Sequence, residues 1–231
     1  MRRASLMLCA LLAAACLLCG CGEDEPAGQE TDDKDKAGDK LKGARRPLRQ
    51  LHAALRDADR EAFLGCFEAN DRQRRVLSAM YDAYAAQTEL NRKMAEAYGS
   101  QAEAAAPTLL QRLSEPSWVE TVEVAAGQRR GAAIASLDGT ELQLVQGRVT
   151  VATDTRPEAP MQRRVWKIDP EVLVPSNAEM ATVQQMVGYY EQLARAGERL
   201  VGRVGQAGET AESIRDKWAE ARAQAVAEYA P

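Results

Sequence analysis

Histidine, cysteine and the large aromatic residues are scarce in this sequence. His52 is the one histidine, so a site built from several histidines is excluded, and any Ser-His-Asp or Cys-His catalytic pair would have to use it. Cys66 is the one cysteine beyond residue 21, which leaves the body of the chain without a partner for an internal disulfide. With two phenylalanines and three tryptophans, a core must rely on Leu, Val, Met and Ala.

The charge balance lacks a basic excess. The 231 residues carry a formal net charge of −4, and 45% of them are hydrophobic, which allows one domain with additions. A nucleic-acid partner would need a basic face, so we expect none. With one histidine and one body cysteine we also predict no metal site and no cofactor.

An uncharged apolar run occupies residues 4–18, directly after the short basic start Met1-Arg2-Arg3. A positive start followed by about 7–15 apolar residues is the layout of an export signal. The run is shorter than the roughly 20 apolar residues that a membrane-spanning helix needs. We therefore predict a signal peptide over residues 1–20.

The end of this run, Leu18-Cys19-Gly20-Cys21, resembles the lipobox of bacterial lipoproteins. The resemblance implies cleavage after Gly20, a diacylglyceryl group on the Cys21 thiol, and a further acyl chain such as palmitate on its amine. Cys16 follows three alanines and is a competing site, but it lacks the aliphatic residue three positions before it. An ordinary signal peptide or an uncleaved anchor would also fit an apolar run of this kind.

An acidic segment follows the lipobox. Residues 22–43 contain eight acids, four lysines and a single leucine. Such a composition buries too little apolar surface to offset chain entropy, so we predict a disordered tether over 21–43. As a flexible coil its ends would lie roughly 25 Å apart. The body then divides into a domain over 44–175 and a C-terminal helical extension over 176–231.

Helical periodicity opens the body. Pro47 suits the first turn of a helix, and Asp59 suits the N-cap of a second, short one. Asp71 opens a much longer helix, for which Gly99 is the predicted C-cap. A further short helix is predicted over 108–113.

The apolar pattern then takes the period of β-strands, which predicts an antiparallel meander of four or five strands with one packed face. Asp138-Gly139 predicts a tight turn between two strands, and Gln146-Gly147 predicts another turn or a bulge. Trp118 and Trp166 are predicted to be strand residues packed against a helix. The predicted strands cover 118–124, 131–137, 141–145, 148–153 and 161–168.

After Pro170 and Pro175 the helical period returns, with an apolar stripe over 180–204. Gly205 and Gly208 interrupt it, and Thr210 is the predicted cap of a last helix. Two C-terminal helices are therefore expected.

Two local pieces resemble the nuclear transport factor 2-like superfamily. LRQLHAALRDADREAFLGCF (48–67) is similar to the family's opening helical pair, and RRVWKID (163–169) is similar to its late strand. Over residues 47–170 the resemblance implies an α+β, cystatin-like cone in which N-terminal helices pack on the antiparallel sheet. The superfamily includes isomerases, dehydratases, cargo adaptors and binding modules, so the fold selects no function. The whole layout also resembles uncharacterised lipoproteins of planctomycetes.

Four residues are candidates for catalysis. His52 could act as a general base near Asp57 or Asp59, with Tyr84 as a polar partner. The competing interpretations are a boundary histidine, turn and cap acids, and a core tyrosine with its polar tip at the edge. Cys66 is interpreted as a buried, unreactive thiol.

Two functions from different classes follow. The first is a non-catalytic envelope lipoprotein that is held by its lipid anchor in the cell membrane or outer membrane of a bacterium. Its domain would face the periplasmic or outer side and bind an envelope protein or a small-molecule ligand. The second is a small pocket enzyme of the isomerase or hydratase type.

Overall fold

The computed structural model describes residues 41, 43–100, 102, 108–115, 117–118, 122–128, 131–137, 140–153 and 156–229. The predicted signal peptide, Cys21 and nearly all of the predicted tether lie outside these ranges. Leu41 is half-buried and packs against the first core, and the Ala44 amide donates to its carbonyl at 2.9 Å.

Two short helices open the described chain. Helix α1 (Arg46–Arg56) carries Pro47 in its first turn and buries Leu48, Leu51 and Leu55. Helix α2 (Arg60–Gly65) begins where the Asp59 carboxylate accepts a hydrogen bond from the Ala62 amide at 2.9 Å. The cap satisfies a backbone donor that the helix itself cannot pair, which confirms the predicted start.

The long helix α3 (Asp71–Tyr98) has 28 residues and begins with a capping box. The Gln73 amide donates to Asn70 Oδ1 at 2.9 Å, and the Asn70 amide donates to Gln73 Oε1 at 3.1 Å. The helix ends at Gly99, whose φ of 101° is open to glycine and strained for other residues. Both ends were predicted. The short helix predicted over 108–113 is present as α4 (Leu109–Ser114), and Thr108 is its N-cap.

A four-stranded antiparallel sheet follows in the order β1-β2-β3-β4. The strands are β1 (Glu123–Ala126), β2 (Ala132–Leu137), β3 (Thr140–Thr153) and β4 (Arg156–Asp169). Ala133, Leu144 and Ile168 are fully buried on the packed face. The predicted α+β class and the antiparallel meander are confirmed. Leu137 pairs with Thr140, and the predicted turn residues Asp138 and Gly139 lie outside the described residues.

The segment after α2 adds a short parallel pairing at the edge of β4. The Ile168 amide donates to the Cys66 carbonyl, and the Glu68 amide donates to the Ile168 carbonyl, both at 2.9 Å. Backbone hydrogen bonds therefore link the segment directly after α2 to β4.

Two strand predictions are wrong. Residues 117 and 118 are helical, and β1 begins only at Glu123. The Trp118 indole is buried and donates to the Leu113 carbonyl, so its side chain belongs to the helical side of the core. The predicted break at Gln146-Gly147 is also absent: β3 continues through both residues because β4 is long enough to pair with each of them.

The chain then returns to helices. A 3₁₀ turn (Pro170–Val172) leads to α5 (Met180–Val201) and α6 (Ala211–Tyr229). Gly205 and Gly208 take positive φ in the connection, and the Ser213 amide donates to Thr210 Oγ1 at 3.1 Å. The predicted glycine interruption and the Thr210 cap are confirmed.

Helix α3 contributes to both large hydrophobic cores. Its first half packs with α1, α2, α4 and the sheet, and its second half packs with α5 and α6. Gly197 of α5 lies against Ala86 of α3, where the two backbones approach closely. Within the described ranges no helix combines the length and the apolar character that crossing a bilayer requires.

Candidate functional site

The four residues predicted for catalysis do not form one site: each either bonds to a neighbouring group or lies apart from the other three. His52 is half-buried on α1, and its Nε2 atom has no hydrogen-bond partner among the described residues. Asp57 is exposed and pairs with Arg56 at 2.7 Å. The hydrogen bond and charge of that guanidinium lower the pKa of Asp57, which makes the carboxyl a poor general acid near neutral pH.

Asp59 and Tyr84 also have structural roles. The Asp59 carboxylate caps α2. Tyr84 is buried in α3, and its hydroxyl donates to the Leu55 carbonyl at 3.3 Å. These bonds match the interpretation of both residues as structural. The structure does not combine the four candidates into one catalytic arrangement.

Asp57 and Asp59 do line one shallow cavity of about 380 Å³, together with Cys66. The Cys66 thiol is buried and donates to the Ala62 carbonyl at 3.2 Å. Burial raises the pKa of this thiol to about 11, so it is protonated and a weak nucleophile near neutral pH. This cavity therefore offers carboxylates without an activated nucleophile.

A second cavity, of about 200 Å³, lies between α3, α4, α5 and α6, and we call it the aromatic cleft. The helices come from distant parts of the sequence, and the packing of α5 against α3 brings them together. Its lining is mostly apolar, with a few polar groups. The lining includes Tyr84 and Gln87 of α3, Tyr189 and Tyr190 of α5, and Trp218 and Arg222 of α6.

Two residues that line the aromatic cleft carry buried hydrogen-bond donors without an acceptor among the described residues. Gln87 is 5% exposed and Trp218 is 2% exposed. Neither Gln87 Nε2 nor Trp218 Nε1 has a hydrogen-bond partner within the part of the chain that the structure describes. A buried donor without a partner costs about 1–3 kcal/mol, so native proteins rarely leave two beside one cavity.

The tyrosines give the cleft a polar aromatic wall. The rings of Tyr189 and Tyr190 meet edge to face, with centroids 5.2 Å apart. Burial raises the pKa of Tyr190, with a smaller contribution from the neighbouring Tyr189, so its phenol stays neutral near pH 7. Arg222 is exposed and forms no ion pair with any described acidic residue. The cleft thus combines apolar walls, neutral donors and one cation.

Acid–base chemistry has little support in this cleft. Its described lining contains no His, Asp, Glu, Cys or Lys side chain. Among the described residues no group of three or more His, Cys, Asp and Glu side chains is placed to hold a metal ion. Apolar walls with a few polar donors are the features that small-molecule binding sites in proteins commonly combine.

Most of the cleft was missed by the sequence analysis. The sequence analysis raised Tyr84 of this lining, as a polar partner in catalysis or a core tyrosine, and did not consider Gln87, Trp218 or Arg222 for a site. One signal was available: Gln87 occupies a core position of α3, one turn after Ala83 and Tyr84 and one turn before Leu90, where an apolar residue is expected. No protein-family model, curated protein or solved structure matches this chain.

Proposed function

We propose that the protein is a non-catalytic, lipid-anchored binding module of a bacterial envelope, and that a small ligand occupies the aromatic cleft. The observation that carries this proposal is that two residues lining one cavity, Gln87 and Trp218, each hold a buried donor nitrogen without a described acceptor. A ligand oxygen that accepts from these nitrogens would remove the cost of leaving them unpaired.

The cleft also limits the chemistry of the ligand. Its volume of about 200 Å³ is below the roughly 300–1,000 Å³ of sites for drug-sized molecules, so the ligand is small. The apolar and tyrosine-rich wall favours a flat or aliphatic body. The donors and the cation of Arg222 favour a carbonyl or carboxylate oxygen at one end.

The alternative, a pocket enzyme of the isomerase or hydratase type, has less support. His52 on α1 and Asp57 at its C-cap lie outside the described lining of the aromatic cleft, and the Tyr84 hydroxyl donates to the Leu55 carbonyl. A proton-transfer mechanism needs an acid or base within hydrogen-bond reach of the substrate. The described lining supplies no His, Asp, Glu, Cys or Lys side chain for this role, and burial keeps the Tyr190 phenol neutral.

The test of ligand binding is a matched pair of substitutions, Gln87→Met and Gln192→Met. Both replace an amide by a thioether of similar length; Gln192 is on α5, has an unpaired buried oxygen, and is not among the residues lining the cleft. Native mass spectrometry of the protein gently extracted from its own membranes would report any co-purifying species. We expect it to remain bound in the wild type and in Gln192→Met and to be lost in Gln87→Met.

The same pair gives a second result that does not depend on recovering the ligand. In the ligand-free protein, Gln87→Met removes a buried unpaired donor, so we expect the free energy of unfolding to rise by up to about 1–3 kcal/mol. A variant that is more stable and yet binds less is typical of a site kept for function. A wild type with nothing bound and a Gln87→Met variant of unchanged stability would contradict the proposal.

The anchor is the second part of the proposal and rests on Leu18-Cys19-Gly20-Cys21. Two or three acyl chains on one residue hold far longer than a single chain, because each buried CH₂ contributes about 0.8 kcal/mol. We expect Cys21→Ser to abolish processing or release the protein from the membrane fraction, whereas Cys16→Ser should leave both unchanged. A membrane fraction and an apparent mass like those of the wild type in Cys21→Ser would refute the lipobox.

The third part is the nuclear transport factor 2-like cone over residues 47–170. Its support is the order of two short helices, a long helix and an antiparallel meander, and the Trp-Lys-Ile-Asp sequence that ends β4. An experimental structure in which the sheet curves around α3 and leaves an open cavity between sheet and helix would support it. A flat sheet without such a cavity would contradict it.

A further inference from the structure

Three arginines gather where the described chain enters its first helix. Arg45 is the residue before α1, and Arg46 and Arg49 lie in its first turn. All three are exposed and line an open cavity of about 460 Å³, whose wall is completed by Leu41, Gly43 and Val124 of β1. We call this surface the arginine patch.

The positive charge of the arginine patch is not balanced within the described structure. None of its three guanidinium groups forms an ion pair with a described acidic residue, and the first turn of α1 contains no acid. Some exposed arginines elsewhere are paired: Arg92 binds Glu89 at 2.6 Å, and Arg195 binds Glu191 at 3.1 Å. The backbone amides at this end of the helix add further positive potential, which makes the local excess larger.

We propose that the arginine patch binds the anionic headgroups of the lipid bilayer near which the tether holds the domain. This inference depends on the proposed lipid anchor in one respect: the anchor is the reason for choosing a lipid bilayer as the partner of the patch. The patch lies where the tether would join the domain, about 25 Å on average from an anchor at Cys21. Of the described surfaces named above, the patch is the nearest in sequence to the proposed anchor.

Charge and shape favour a membrane over a single soluble anion. The cavity is open, and its three cations are spread over the residue before the helix and its first turn, which suits several headgroups better than one enclosed phosphate. Basic residues near an anionic surface each strengthen binding by about fivefold, which gives about 100-fold for three arginines at low salt. The acidic segment of residues 22–43 is repelled by the same surface, so the patch is the part of this region that would approach the lipid.

The experiment is vesicle co-sedimentation of residues 22–231, which retain every described helix, strand and core residue but not Cys21. We expect binding to vesicles of phosphatidylcholine that contain one third phosphatidylglycerol, and no binding to pure phosphatidylcholine. Binding should weaken steeply as salt is raised, whereas inorganic phosphate at the same ionic strength should compete no better than chloride. Strong competition by phosphate would instead identify a site for a free anion and overturn the membrane proposal.

A triple substitution tests the residues. Arg45→Gln, Arg46→Gln and Arg49→Gln together should reduce binding to the anionic vesicles by about 100-fold. The far-ultraviolet circular dichroism should be unchanged, because these side chains are exposed and make no described ion pair.

The matched control is Arg72→Gln, Arg74→Gln and Arg75→Gln, which removes the same charge from the first turns of α3. Binding should persist in this control, and an equal loss in both triple variants would reduce the effect to net charge and overturn the proposal. A chain that binds anionic vesicles only after deletion of residues 22–40 would show that the acidic segment occupies the patch, which also overturns it. The vesicle experiment lacks Cys21, so an absence of vesicle binding would not contradict the proposed anchor. A wild-type result for Cys21→Ser would likewise not contradict lipid binding by the arginine patch.

Discussion

The contact between Gly197 and Ala86 gives a sharp test of how closely α5 packs on α3. A Cβ atom added at Gly197 would lie 2.9 Å from Ala86 Cβ, 3.2 Å from its carbonyl carbon and 3.3 Å from its carbonyl oxygen. Ordinary contacts between carbon atoms are about 3.5–4.0 Å, so the helices must separate by about half an ångström or more. Two of the three obstructing atoms belong to the backbone, so a change of rotamer cannot relieve the contact.

Two opposing terms set the expected effect of Gly197→Ala. Overpacking of a tight core contact costs about 1–3 kcal/mol. Replacing a glycine inside a helix by alanine returns about 1 kcal/mol through backbone propensity. Gly65→Ala is the comparison, because Gly65 is the last residue of α2 and a Cβ there meets nothing within 4 Å. We expect Gly197→Ala to be less stable than Gly65→Ala by about 1–3 kcal/mol.

The assay is urea or thermal unfolding followed by circular dichroism. For a chain of this size each kcal/mol corresponds to about 2–4 °C in melting temperature. A double-mutant cycle with Ala86→Gly isolates the contact, because the propensity terms of the two single variants cancel in the coupling energy. The double variant removes the nearest obstructing atom, so we expect a favourable coupling of about 1 kcal/mol. The double variant should recover only part of the stability lost in Gly197→Ala, because the carbonyl carbon and oxygen of residue 86 remain close to the added Cβ.

A Gly197→Ala variant as stable as Gly65→Ala, with no coupling to Ala86→Gly, would refute the close approach of the two helices. The contact also concerns the aromatic cleft, because Leu193, one turn before Gly197, lines the cleft opposite α3. A variant that separates the helices should therefore lower ligand retention as well as stability.

Three further predictions concern single side chains. Hydrogen bonds from Lys217 and Ser213 lower the pKa of Glu209 below its usual 4.5, so the stability that this carboxylate contributes is complete above 4.5 and is lost as pH falls through the lower pKa of the folded state. Glu209→Gln should therefore have a lower melting temperature than the wild type at neutral pH. A difference in melting temperature that did not narrow in acid would refute this. Cys66, with its pKa raised to about 11, should resist a thiol reagent at neutral pH in the folded protein and react at once in denaturant, and rapid labelling of the folded form would contradict its burial. Asp59→Ala should lower the free energy of unfolding by about 1 kcal/mol through loss of the α2 cap, whereas an unchanged melting temperature would show that the cap adds nothing.

The helix boundaries were predictable because caps are local in sequence. Asp59, Gly99 and Thr210 each stabilise a helix end through atoms within a few residues, so the residue types alone indicated where the helices begin and end. The positions of β2 and the end of β4 followed in the same way from alternating apolar residues.

The continuity of β3 was not predictable, because it depends on a strand that is distant along the chain. Gly147 looks like a turn residue in sequence, but β4 pairs with it, and the Glu68 carboxylate lies where a side chain at 147 would be. Trp118 was missed for a related reason: its indole is held by the Leu113 carbonyl, a contact that outweighs the local preference of tryptophan for strands.

The aromatic cleft needed the tertiary structure. Gln87 and Trp218 are 131 positions apart, and only the packing of α5 and α6 on α3 brings them to one cavity. The sequence offered a polar residue at a core position of α3, but it could not show whether that residue had a partner.

Because α3 contributes to both large cores, we expect each core to lose stability when the other unfolds. Loss of α5 and α6 would expose Ala86, Leu90 and Met94, and an isolated helix in water is held only weakly by backbone propensity. The sheet and the C-terminal helices should therefore melt in one cooperative step, with slow amide protons in both exchanging at similar free energies. A protease that cut between Val174 and Met180 should release no stable fragment, and the aromatic cleft and the arginine patch should be lost together on unfolding.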